Sequence, residues 1–188
     1  MSGEMITALT ALVVAVLSAG TALHGTRSGA RLQRELSERQ EAVDTAAEQL
    51  AAYTAYCTAA TRFVGACREL AQELTPSTRE PERCDSRYSA YEECWNRLAD
   101  TQATARVRAA RAGDRVIAQD LAQVVTRTTD LGDLVSTWYH DLRKRDWQPG
   151  GRRANGLDEA HGACLDAVRA LEEEMIRLAG ESRSPAGG

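Results

Sequence analysis

The 188-residue chain has only four prolines, none of them before Pro76, and only three histidines. A proline inside a helix removes a backbone donor and clashes with the preceding turn, so nothing in the first 75 residues obstructs a long helix. Aromatic residues make up 5% of the chain, with a single phenylalanine, which leaves little material for β-strands. Lysine is scarcer still. The one lysine, Lys144, sits in Arg143-Lys144-Arg145-Asp146, so no phosphate-binding loop of the Walker type exists. The patterns G-x-G-x-x-G, G-x-S-x-G and H-E-x-x-H are absent too. Asp158-Glu159-Ala160-His161 spells a helicase tetrapeptide, but without a phosphate loop it carries no nucleotide chemistry. No catalytic residue and no cofactor is therefore nominated, and catalysis is not expected. A net charge of −4 argues against a nucleic-acid partner.

A further absence is local. Met5 to Thr26 contains no Asp, Glu, Lys or Arg, and Arg27, Arg31, Arg34 and Arg39 follow at once. Twenty-two helical residues span about 33 Å, enough for a hydrocarbon core of roughly 30 Å. The reading is an N-terminal transmembrane anchor over residues 1–26 and a basic helical stalk over 27–39. A cleaved signal peptide would want a basic start, whereas Met1-Ser2-Gly3-Glu4-Met5 offers Glu4. The arginines on one flank only predict a single-pass protein of the cell membrane, N-terminus out and bulk of the chain in the cytoplasm. Ala11, Ala15 and Ala19 make a small-residue stripe along which two such helices could pack.

Beyond the anchor the apolar residues recur in alternating steps of four and three. One row runs Leu32, Leu36, Arg39, Val43, Ala46, Leu50, Tyr53, Cys57, Ala60, Val64, Cys67, Ala71, Leu74. A second runs Cys84, Tyr88, Tyr91, Trp95, Leu98, Gln102, Ala105, Ala109. A third is Ile117, Leu121, Val124, Thr128, Leu131, Val135, Trp138, Leu142, and a fourth is Leu157, His161, Cys164, Val168, Leu171, Met175, Leu178. This repeat marks helices packed along a seam. Breakers fall between the rows, at Thr75–Pro81, at Gly113-Asp114 (a C′ glycine followed by an N-cap aspartate) and at Asp146–Gly156. The fold class is thus all-α: the anchor, then an antiparallel up-down four-helix bundle or coiled coil over 40–180. Its helices are expected at about 30–74, 82–112, 114–145 and 157–179, with a disordered tail at 181–188.

Cys57 and Cys67 are ten apart, as are Cys84 and Cys94. Folding the first two helices about Pro76–Pro81 with paired numbers adding to 151 sets Cys67 against Cys84 and Cys57 against Cys94. The spacing resembles the twin CX9C motif of coiled-coil-helix–coiled-coil-helix proteins, and the resemblance implies two disulfides across a helical hairpin. A cytoplasmic domain would instead keep buried thiols, and the arginine flank with the odd fifth cysteine, Cys164, favours that state. The sequence from Ala11 to Leu23, then Arg27, Arg31 and Arg34, then Leu36 to Tyr56, resembles uncharacterised actinobacterial single-pass membrane proteins with a helical domain.

The function expected from these features is that of a protein–protein interaction or scaffold module at the membrane. Its partners would be the lipid bilayer and a protein, self-association into a dimer included. Arg27, Arg31, Arg34, Arg111 and Arg115 are the candidate contacts to anionic headgroups, with Arg106 and Arg108 beside them. Two alternatives stand. One is an exported envelope domain stapled through Cys57, Cys94, Cys67 and Cys84. The other is a metal- or cofactor-binding bundle using His161 and Cys164. Trp138, Tyr139 and Trp147 are expected to cap the core.

Overall fold

The computed structural model describes residues 2–75, 80–147 and 156–181, with side chains from residue 33 onward. Four helices follow one another: α1 (Ser2–Leu74), α2 (Pro81–Ala112), α3 (Arg115–Lys144) and α4 (Leu157–Glu181). No strand occurs among the described residues. The expected anchor with Ala11, Ala15 and Ala19, the arginines Arg27 and Arg31, and the C-terminal tail lie outside the described residues or side chains. Among the residues whose side chains are described, from 33 onward, no helix is long and apolar enough to cross a membrane.

The chain divides into two units, Met1–Ala47 and Glu48–Gly188. In the first, every described side chain is exposed, and local bonds such as Gln40 Nε2 to Asp44 Oδ1 at 3.0 Å decorate the helix surface. Leu36 and Val43, one heptad apart, are 58% and 62% exposed. The sequence pattern predicts a bundle that starts at residue 40. The packed unit instead begins at Glu48, and the earlier members of the first row face outward.

The second unit is a helical bundle whose junctions follow local chemistry. α2 opens on Pro81 in its first turn, where a missing N–H costs nothing, with the acidic Glu82 beside it. It ends at Gly113, whose φ of 69° is the left-handed conformation that glycine tolerates, and whose N–H bonds to the Ala109 carbonyl. The Asp114 carboxylate then accepts from the Val116 and Ile117 N–H groups at 3.0 and 3.2 Å and caps α3. At the far end of α3, Asp146 and Trp147 both take positive φ, 51° and 58°. Two non-glycine residues there cost free energy. The Trp147 N–H to Leu142 carbonyl bond (3.0 Å) and the edge-on packing of the Trp147 ring against Tyr139 hold the turn.

All eight members of the α3 row are buried, and in α1 the row from Tyr53 to Leu74 is buried throughout. α1 also buries a second row, Tyr56, Ala59, Phe63 and Leu70. Its cause is that α1 has two neighbours: Phe63 meets Tyr91 of α2, while Cys57 meets Met175 of α4. A helix flanked on two sides needs a wider apolar stripe than a two-helix seam does.

The hairpin register departs from the expectation. Arg83 pairs with Glu73 at 3.0 Å, Arg87 with Glu69 at 2.7 Å and Arg108 with Glu48 at 2.8 Å; in each the residue numbers add to 156. A constant sum is the mark of antiparallel helices, and it stands five residues from the 151 that the cysteines suggested. Five residues of helix are about 7.5 Å along the axis, which by itself exceeds the usual Cα separation across a disulfide. Cys57 and Cys94, like Cys67 and Cys84, are accordingly not aligned, and none of the five cysteines is in a disulfide.

Candidate functional site

Three regions of the bundle concentrate polar or reactive side chains within the packed unit. The first is a ladder of rings where α1, α2 and α3 meet. Trp95 and Tyr91 flank Phe63 at 5.1 and 5.4 Å between centroids, Tyr88 packs on Tyr91 at 5.4 Å, and Tyr88 lies parallel to Tyr139 at 3.9 Å. The polar tips are satisfied one by one. The Tyr91 hydroxyl donates to the Gly132 carbonyl at 3.1 Å, and Tyr88 exchanges a hydrogen bond with His140 Nε2 at 3.0 Å. The Tyr139 hydroxyl donates to the Asp85 carboxylate. Burial and that carboxylate, as acceptor and as charge, push the Tyr139 phenol up to about 12, against the opposing pull of Arg143. Tyr139 and Trp147 thus join one cluster as expected. Trp138, although buried, makes no ring contact in the ladder, and its indole N–H has no hydrogen-bond partner among the described residues. Phe63 and Asp85, which complete the cluster, carry no motif that a sequence reading could have found.

The thiols are the second region. Cys67, Cys84 and Cys164 are buried. Burial pushes Cys164 up to about 11, and raises Cys67 further, helped by the nearby Cys164 and Cys94. Only Cys94 is half-buried, in a groove of about 200 Å³ between α1 and α2 lined by Arg62, Glu93 and Arg97 among others. Its thiol is raised by burial and by Glu93, with Arg62 and Arg97 pulling the other way. Thiolates react and thiols do not, and reagent must reach the sulfur. Under native conditions Cys94 is therefore expected to take up iodoacetamide at least tenfold faster than the other four, as read by peptide mass spectrometry. Equal labelling of Cys67 or Cys164 would contradict this packing.

The third region is a groove of about 320 Å³ between α1 and α4, lined mainly by apolar atoms of Leu50, Thr54, Met175 and Ile176, with Glu172 at one wall. At this groove the Cys57 thiol lies 3.8 Å from the Met175 sulfur. Nearby on α1, the hydroxyls of Tyr53 and Tyr56 are buried without a hydrogen-bond partner among the described residues. Burial raises both phenols; the Asp114 charge adds to the effect at Tyr53.

The remaining nominated residues are dispersed. Arg34 is exposed on the first unit, and Arg111 and Arg115 are exposed on either side of the Gly113–Asp114 turn. Arg108, named beside them, is engaged with Glu48. His161 is half-buried, and its imidazole is lowered by burial and the Arg68 charge. Among the described residues no three His, Cys, Asp or Glu side chains converge as metal ligands, so His161 and Cys164 have no completing partners of those types. No family model, curated protein or solved structure matches the chain.

Proposed function

We propose that the protein is a membrane-tethered interaction module whose first partner is a second copy of itself. The residues before Arg27 serve as the anchor, and the bundle stands on the arginine side of the membrane. Two copies then pair in parallel along α1, with Leu36 and Val43 at the seam. The observation that carries this reading is the exposure of those two residues at heptad spacing. A large apolar side chain gains roughly 1.5–3 kcal/mol when it leaves water, so an outward heptad pair is a ready contact. Parallel pairing suits the tether, because two anchors in one bilayer bring the stalks together already aligned. The bilayer is the second partner, with Arg34 placed for anionic headgroups. No catalytic chemistry is assigned.

Sedimentation of the full-length protein in density-matched detergent tests the pairing. A dimer is expected, and Leu36→Glu with Val43→Glu should weaken it by about 100-fold or more without loss of helical signal. A monomeric wild type, or a dimer indifferent to both substitutions, would rule the seam out. A membrane-impermeant maleimide on intact cells reads the topology. Cys94 should be labelled only after permeabilisation.

A further inference from the structure

The sulfur pair in the α1–α4 groove matches neither the cysteine hairpin nor the His161–Cys164 reading, and it has its own chemistry. We propose that Cys57 and Met175 form a binding site for a soft monovalent metal ion, of the copper(I) or silver(I) class. Two observations converge on it. Cys57 Sγ and Met175 Sδ stand 3.8 Å apart. Two metal–sulfur bonds of about 2.3 Å meeting at roughly 120° need sulfurs about 4.0 Å apart, so the ion fits with little movement of either helix. Both residues line the same groove, which gives the ion a path inward and leaves a coordination position facing the opening.

Charge and softness select the ion. A thiolate and a thioether are soft donors, suited to copper(I) and poor ligands for magnesium or calcium, which demand several oxygens. Cys57 and Met175 are 3% and 7% exposed, so the site is shielded from water. One thiolate with one monovalent cation forms a neutral pair there. Binding is a substitution with no change of oxidation state. The Cys57 S–H bond breaks, the sulfur electron pair bonds the metal, Met175 donates a second pair, and one proton leaves to solvent. Cys94, the only half-buried cysteine, lines a separate groove between α1 and α2 and serves as the internal control.

The test uses the purified full-length protein in detergent, anaerobically, titrated with silver(I) and with copper(I) in competition with bicinchoninate. Wild type should bind one tight equivalent and release one proton per ion. Met175→Leu, close in volume to the native side chain, should weaken that equivalent at least tenfold. Cys57→Ser should abolish it, and Cys94→Ser should leave it unchanged. A circular dichroism melt confirms that each variant is folded; should Cys57→Ser not fold, Met175→Leu decides. Absence of a tight equivalent in wild type, or equal affinity in folded Met175→Leu, or loss of binding in Cys94→Ser, overturns the assignment.

Discussion

Replacing Phe63 with alanine is expected to destabilise the bundle by about 3–5 kcal/mol, which is much of the stability of an ordinary domain. The side chain is fully buried. Its ring contacts Tyr91 and Trp95 at 5.4 and 5.1 Å between centroids, and its edge approaches Gly132. Truncation removes the apolar transfer free energy of the ring and leaves a hole where three helices meet. The neighbours are large and mutually stacked, so they have little freedom to collapse into it. Urea denaturation followed by far-UV circular dichroism measures the loss. A cost below about 1 kcal/mol would mean that the ladder is not the packed centre described.

Gly132 supplies the second large effect, with a sign opposite to the usual one. A glycine inside an exposed stretch of helix is ordinarily improved by a side chain, by roughly 0.5–1 kcal/mol. Here a Cβ would lie 3.1 Å from both the Phe63 ring and the Tyr91 hydroxyl. Valine would add two methyl groups to that contact and push the Tyr91 hydroxyl off the Gly132 carbonyl. Gly132→Val is therefore expected to cost about 3 kcal/mol by overpacking. The two substitutions must also interact, because one opens the space that the other fills. The double variant should be more stable than the sum of the single losses by about 1–2 kcal/mol. Simple additivity would show that Phe63 and residue 132 do not share that space.

Much of this architecture is legible in the sequence, for identifiable reasons. The rows in α2, α3 and α4, and the α1 row from Tyr53 onward, turn inward because a 4-3 step keeps one face of a helix toward its neighbours. Gly113-Asp114 reads correctly as a junction because a left-handed glycine and a carboxylate cap are local chemistry. What escapes a sequence reading is whatever depends on distant partners. The second α1 row of Tyr56, Phe63 and Leu70 is invisible until two flanking helices are known. The Cys57–Met175 contact joins residues 118 apart, and no local pattern announces it. The register is an instructive case, because the mirrored cysteines offered an alignment that the charges refuse. Adding to 151 would set Glu69 beside Glu82, two like charges, whereas the observed alignment gives Glu69 an arginine.

Those three arginine–glutamate contacts sit on the surface, where a bridge adds at most about 1 kcal/mol. As adhesion they are nearly negligible beside the core. Their effect is on ambiguity: a heptad repeat looks much the same after a slide of seven residues, so apolar packing alone leaves the alignment of α1 on α2 close to degenerate. Glu48, Glu69 and Glu73 read against Arg108, Arg87 and Arg83 work as an address, and only one offset satisfies all three together. The core supplies cohesion and the charges supply information. Ionic strength, which screens the address and spares the cohesion, acts on the fidelity of this hairpin's alignment more than on its melting.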